Sequence, residues 1–340
     1  AIFTFVNGVL LRPLPYPDAD RLVQVCETHP ERPDWCGAAP GNLWDLQEAS
    51  TLASVGLGRT WHFGLQGEDG RSEGVSGGIA TVGLFETFRV EPRLGRLLER
   101  RDHRAGGDHV ALLSHSLWTN RYGGQEQIVG ELIRIDDEDY RVIGVLPEGF
   151  EVPFLESVEL WIPLWADRVD WRHWRGLRPY GRLAEGVTLE QARAELEGLG
   201  QALAARYPDS NEGWGIRVES LHERMVASVR GPLWIFLGAV GLVLVIACIN
   251  TAILLLARGS VLERELAMRQ ALGAGRWRLL RLQLTQSLVL ALGGGGLGLL
   301  AAWATVRLFV SLAPAWFPRL EEVTLDAGVV AFAGLLSLLA

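Results

Sequence analysis

The chain has 340 residues, of which 49% are hydrophobic and 21% charged, with a formal net charge of −8. Its mean hydropathy of +0.16 would suit a soluble protein, but the apolar residues are concentrated, and residues 233–257 and 282–306 are two 25-residue runs without a charge. At about 1.5 Å rise per residue each run reaches roughly 37 Å, enough to cross a hydrocarbon core of about 30 Å, which excludes a wholly soluble protein.

In chain order, residues 1–11 are apolar but too few to span, since about 20 are needed. They lack a basic n-region and a small-residue cleavage site, and Arg12-Pro13-Leu14-Pro15-Tyr16-Pro17 follows. Residues 1–16 are therefore read as the C-terminal half of a first transmembrane helix. Residues 17–231 hold 23 Arg against 35 acids and no Lys. This is an acidic domain of ordinary size and a poor partner for nucleic acid.

Within that domain the pattern reads as mixed α/β. Residues 73–82 and 110–113 have strand character, and Ser116 is positioned to cap a helix through Tyr122. Strands over 128–135 and 140–146 flank Asp136-Asp137-Glu138-Asp139, which reads as a hairpin turn. The clearest helix is 189–206. Thr188 with Gln191 forms a capping box, and Leu189, Ala192, Leu196, Leu199 and Leu203 make one apolar stripe. From Leu221 the chain heads for the membrane, so both ends of the domain must come together at its stalks.

Four chemistries are conceivable on this domain. Asp102-His103, Asp108-His109 and His115 place three His at six-residue intervals, which fits neither a helical face nor a known metal spacing and reads as a solvated loop. Gly67-Glu68-Asp69-Gly70 and residues 136–139 lack the spaced ligands of a calcium loop and read as turns. Trp171-Arg172-His173-Trp174-Arg175 resembles a base-stacking platform but, on an acidic exported domain, reads as a packed or partner-facing aromatic edge. Ser114 beside His115 has no nucleophile elbow around it. There is no P-loop, and no catalytic, metal or cofactor-binding residue is assigned. Cys26 and Cys36 could bridge in an oxidising compartment, with free thiols as the default; Cys248, in an apolar run, reads as a packing residue.

The remaining residues, 232–340, read as a membrane helical part with spans 233–257 and 282–306 and the start of a further span at 327–340. The segment 258–281 carries six Arg against Glu263 and Glu265, whereas 313–326 carries Arg319 against three acids. Short basic loops stay cytoplasmic, which puts 258–281 inside, 313–326 outside and 17–231 extracytoplasmic. Ser260 with Glu263 forms a capping box that predicts a new helix below the membrane, with Glu265 and Arg269 an i,i+4 pair and Gly273 and Gly275 stopping it. Val261, Leu262, Leu266, Met268 and Leu272 leave apolar surface on a helix too short to be stable alone. Lying on lipid is the alternative to a protein partner. Gly294 and Gly298, in G-x-x-x-G spacing, read as a helix-packing face.

The run Arg264-Glu265-Leu266-Ala267-Met268-Arg269-Gln270-Ala271-Leu272-Gly273-Ala274, with Trp277-Arg278-Leu279 and Thr285-Gln286-Ser287 after it, resembles the cytoplasmic segment of FtsX-like permeases of the MacB type. Pro92-Arg93-Leu94-Gly95-Arg96, Leu113-Ser114-His115-Ser116-Leu117-Trp118 and Val142-Ile143-Gly144-Val145-Leu146-Pro147 are similar to phrases of that family's periplasmic core domain. The chain resembles the first copy in large bacterial permeases that carry this unit twice. The resemblance implies a membrane α-helical bundle plus an extracytoplasmic mixed α/β domain. It also implies a multi-pass protein of the bacterial inner membrane, in contact with membrane lipid, that is not itself an enzyme. The helix between the second and third spans would dock on a separate ABC-type ATPase subunit. Carried onto this sequence, Glu263, Arg264, Glu265, Leu266, Met268, Arg269, Leu272 and Gly273 would couple ATP hydrolysis to the outer domain, for export or mechanotransmission. A second permease copy or a homodimer completes the expected assembly. A membrane-bound sensor or regulator of envelope enzymes is the alternative class. The exported domain shows no ligand constellation that would name a transported substrate.

Overall fold

A computed structural model describes residues 14–67, 70–103, 108–164 and 171–271, with single positions and short runs between 277 and 308; side chains at 255 and 258–271 are outside that description. It divides into two compact units, Pro13–Met225 and the remainder. Of the expected spans, 327–340 and all of 1–16 but residues 14–16 lie outside the described residues.

The first unit is built on one mixed sheet, with eleven strands among the described residues. The strands are β1 (Leu22–His29), β2 (Arg32–Gly37), β3 (Leu52–Gln66), β4 (Ser72–Ala80), β5 (Leu94–Gly95), β6 (Val110–Leu113), β7 (Leu132–Ile135), β8 (Glu138–Val145), β9 (Leu160–Pro163), β10 (Arg178–Leu183) and β11 (Gly215–Ser220). Their order is β11-β1-β10-β3-β4-β9-β6-β8-β5, with β2 on β1 and β7 bridging β3 and β8. The β4–β9 and β6–β8 pairs are parallel, and the other pairs are antiparallel. The helices are α1 (Leu43–Gln47), α2 (Val82–Phe88), α3 (His115–Tyr122), α4 (Leu189–Arg206) and α5 (Pro208–Asn211), with α6 (Leu221–Ala271) continuing into the second unit. The mixed α/β class read from the sequence is the observed one.

Three apolar clusters hold the sheet. Leu84, Phe85 and Phe88 of α2 pack with Trp161 and Tyr180. Leu46 of α1 and Ala192 and Leu196 of α4 join Val23, Val25 and Leu57, while Leu117 and Trp118 of α3 cover Ala111 and Val142. Leu14, at the entry to the domain, and Leu221, at its exit, belong to the same cluster, and Tyr16 packs on Phe88 with centroids 4.8 Å apart. Both ends of the domain thus reach the same apolar cluster. Two glycines allow α2 to touch β3 backbone to backbone. A Cβ on Gly56 would lie 2.0 Å from the Leu84 nitrogen, and one on Gly83 would lie 2.1 Å from the Val55 carbonyl oxygen.

Several local expectations are refined. The capping box at Thr188 and Gln191 is complete in both directions. The cap of α3 is Ser114, whose Oγ accepts from the Leu117 amide; Ser116 lies inside the helix, because Ser114 is the residue that keeps extended backbone. The hairpin turn contains only Asp136 and Asp137, both at positive φ (47° and 69°). Asp tolerates that region, and two such residues suit the twist of a tight hairpin. Strand β7 starts at Leu132, since residues 126–128 form a 3₁₀ turn.

Glu195 of α4 ties the helix to the chain entering β3: its Oε1 accepts from the Ser50 amide and hydroxyl at 2.9 and 2.8 Å, and its Oε2 accepts from the Thr51 amide at 2.8 Å. Burial opposes ionisation, but the hydrogen bonds from Thr51 and Ser50 override it and hold the carboxyl down at about 2. Because the folded value lies below the ordinary 4.5, this stabilisation is present above pH 4.5 and disappears as the pH falls toward 2. Glu195→Gln should accordingly lower Tm at pH 6 and leave it nearly unchanged near pH 2. A Tm difference that did not shrink on acidification would contradict the assignment.

Candidate coupling segment and exported surface

Helix α6 runs for 51 residues from Leu221 to Ala271. Leu221 is fully buried in the α2 cluster, and Met225 packs partly against that cluster. Within Leu221–Leu254 an 18-residue stretch reaches a mean hydropathy of 2.6, and among the described residues this is one helix long and apolar enough to cross a membrane. Pro232 lies within it, where the pyrrolidine ring removes one backbone donor.

The capping box at Ser260 predicts a fresh helix start, and the structure differs: α6 passes through Gly259 and Ser260 without a break. Starting anew would leave four amides without intrahelical partners, whereas retaining Gly259 in a helix costs only about 1 kcal/mol. Glu263, Arg264, Glu265, Leu266, Met268 and Arg269 all lie on this continuous helix, while Leu272 and Gly273 lie outside the described residues. Every described position from Trp277 to Leu308 is helical. A Cβ on Gly294 or Gly298 would meet nothing within 4 Å among the described atoms, so the structure brings no described element against that face.

On the exported unit, the segment 171–175 divides its side chains by direction. Trp171 and Trp174 are exposed, whereas Arg172 and Arg175 are buried. Arg175 pairs with Glu27 of β1, Nε to Oε2 at 2.7 Å, with both side chains at most 5% exposed. Its Nη2 donates to the Ser210 carbonyl and to Asn211 Oδ1, both at 2.8 Å, and its guanidinium lies 3.9 Å from the Trp214 ring centroid. Arg172 pairs with Asp45 at 2.8 Å, donates to Asn42 Oδ1 and stacks 3.9 Å from the centroid of Tyr207. Burial pushes the Glu27 carboxyl up, against the opposing pull of Arg175 and the Ala39 amide. The segment is thus a clamp between β1, α1 and α5, and its outward Trp174, with Trp61 of β3, brackets Arg59 at 5.1 Å from each centroid.

Cys26 and Cys36 form a disulfide with Cα atoms 4.6 Å apart, which corrects the free-thiol reading. The pairing of Glu27 with Gly37 across the β1–β2 hairpin makes Cys26 and Cys36 neighbours despite their separation in sequence. The three His also fall into distinct settings and not into one solvated loop. Asp102 is buried and doubly hydrogen-bonded to Arg96 at 2.6 and 2.9 Å. His103 Nδ1 is 2.7 Å from the Leu164 carbonyl, His109 lies 3.2 Å from Glu138, and His115 stacks edge-on to Trp118. Among the described residues, no three His, Cys, Asp or Glu converge on one point.

Residues 1–199 match the family of the MacB-like periplasmic core domain, and residues 236–340 match the FtsX-like permease C-terminal family. No curated relative matches the chain. Solved structures similar to it include a permease-protein domain from Porphyromonas gingivalis (18% identity, TM-score 0.46, covering 61% of this chain and 93% of that one). The extracellular domain of the ABC-type transporter YknZ from Gram-positive bacteria is similar at 11% identity and TM-score 0.43, over 58% of this chain and 99% of that one. The periplasmic region of MacB from Actinobacillus actinomycetemcomitans is similar at 14% identity and TM-score 0.44, over 67% and 97%.

Proposed function

Because the chain belongs to the family of ABC-transporter permease components that join a MacB-like periplasmic core domain to an FtsX-like permease part, we propose that it couples a separate ATPase to its extracytoplasmic domain by mechanical displacement. The observation that carries this reading is α6, one helix with its first residue in the α2 cluster of the exported domain and its last in the basic segment at Ala271. A movement imposed at residues 263–271 has no loop to absorb it before Leu221.

In this reading residues 17–231 are outside and 258–281 inside, with a bundle of spans at 1–16, 233–257, 282–306 and 327–340 in the bacterial inner membrane. Glu263, Arg264, Glu265, Leu266, Met268, Arg269, Leu272 and Gly273 form the ATPase-facing segment. Gly294 and Gly298 provide a face that admits close helix approach from a second permease copy. The work done is export of a substrate or displacement of an outer partner.

Topology tests the frame. With Cys248→Ala as background, Asp137→Cys should react with a membrane-impermeant maleimide in intact spheroplasts, and Arg264→Cys only after permeabilisation. Labelling of both from the same side would end the coupling model.

A further inference from the structure

Three guanidiniums gather where the chain enters the exported domain. Arg182 of β10 is 1% exposed. Its Nε donates to the Thr87 carbonyl at 2.8 Å and its Nη1 to the Asp18 carbonyl at 3.0 Å, while Nη2 is buried without a hydrogen-bond partner. It makes no salt bridge within 4 Å among the described residues. Burial lowers its pKa first, and the neighbouring Arg89 and Arg21 lower it further, against the opposing pull of Asp18 and Asp20. A buried cation held by carbonyl oxygens alone leaves positive potential that must be met from outside its own contacts.

Two further guanidiniums stand on the outer side of the cluster and add to that potential. Arg21 uses Nε and Nη2 on the Leu183 carbonyl, at 3.0 and 2.6 Å, and its Nη1 stands 3.7 Å from Asp18 Oδ2. Arg89, with its side chain 44% exposed, pairs with the same carboxylate oxygen. Asp18 and Arg89 are both held in the left-handed region, φ 45° and 51°. Asp18 is thus a single carboxylate shared by two arginines, with a third donating to its own carbonyl. Guanidinium forks suit oxyanions with two acceptor oxygens, phosphate foremost.

We propose that Arg21, Arg89 and Arg182 around Asp18 form an oxyanion site that takes a phosphate group. Arg21 and Arg89 touch the anion, and Arg182 supplies potential from beneath. Asp18 follows Leu11 by seven residues, at most about 25 Å of extended chain, so a phospholipid headgroup is within reach if residues 1–16 end a membrane span. That source depends on the proposed topology; the oxyanion site does not.

The test is hydrogen exchange of the full chain in uncharged detergent, read in peptides covering residues 18–22 and 86–90 without any ATPase, so failure here leaves the coupling model untouched. The titrants are inorganic phosphate against chloride at equal ionic strength, and short-chain phosphatidylglycerol against the phosphate-free diacylglycerol of the same chains. A bound ligand at ten times its Kd should slow local opening about tenfold. Protection by phosphatidylglycerol above diacylglycerol, with none from inorganic phosphate, assigns the site to lipid; protection by inorganic phosphate assigns it to the free ion. Arg21→Gln with Arg89→Gln should abolish either effect. Asp18→Asn, which removes the internal competitor and tolerates positive φ, should tighten binding several-fold, a gain that a purely structural cluster would not show. No protection by any titrant, equal protection by both lipids, protection surviving the double substitution, or unchanged binding in Asp18→Asn would overturn the site.

Discussion

Replacing Arg175 with Ala should lower the unfolding free energy of the exported domain by about 3–5 kcal/mol, the cost of stranding a buried charge after its partner is removed. The partner is Glu27, 2% exposed and 2.7 Å from the guanidinium, whose Oε1 also accepts from the Ala39 amide at 2.9 Å. Arg175 further holds Ser210 and Asn211, so its loss frees α5 as well as β1. The paired substitution Glu27→Gln with Arg175→Met keeps an acceptor for Ala39, buries no net charge, and should cost clearly less than Arg175→Ala alone. Acidification separates the two. Burial already raises the Glu27 pKa above its ordinary 4.5, and removing Arg175 raises it more, so the carboxyl takes up a proton in the folded state before it does in the unfolded chain. Its contribution is then most favourable below pH 4.5 and declines as the pH rises through the folded value. Exchange of β1 and β11 amides should therefore show a larger loss at pH 8 than at pH 5.5 in Arg175→Ala, and little pH dependence in the paired variant. Equal losses at both pH values would mean that the clamp acts by packing and not by charge.

The second large effect is functional. Leu266→Glu or Leu272→Glu should each remove roughly 1–3 kcal/mol of docking to the ATPase, if each is an apolar anchor at the interface. That corresponds to about 5- to 150-fold in affinity, enough to abolish the permease's stimulation of ATP hydrolysis in a reconstituted complex at limiting concentration. Membrane insertion should be unaffected, because both positions lie outside the uncharged run 233–257. Full stimulation with both substitutions would place this helix on the lipid surface and favour a sensor over a coupled permease.

Much of the exported domain was legible where periodicity and capping agree. Strand β6, the capping box at Thr188 and helix α4 match their sequence signals because each is specified locally. Strand β3 was not, although it has fifteen residues. Its Gly56, Gly58 and Gly64 carry no strand signal, yet Gly56 is required by the approach of α2, a reason that exists only in three dimensions. The disulfide is not legible in the sequence, because nothing in the Cys spacing shows the β1–β2 register that joins the two residues. The Ser260 capping box misled for the opposite reason: a valid local signal lost to the continuity of a longer helix. The oxyanion cluster draws on Asp18, Arg21, Arg89 and Arg182, which are too dispersed in sequence to be seen together before folding.

The position of β1 in the sheet sets an order of events during synthesis. Its full-length neighbour is β11, with Val23 opposite Ser220, and its other long-range neighbour is β10, with Leu22 opposite Arg182. Both are made last. At about 5–20 residues per second, the first strand to emerge waits on the order of 10–40 s for its permanent partner. During that interval the long-range edge of β1 is unpaired, and its only available mate is β2, joined to it through Cys26 and Cys36. The covalent link is thus available to hold the earliest hairpin of the domain in register while the rest of the sheet is still being synthesised, when an unpaired strand edge is most exposed to aggregation.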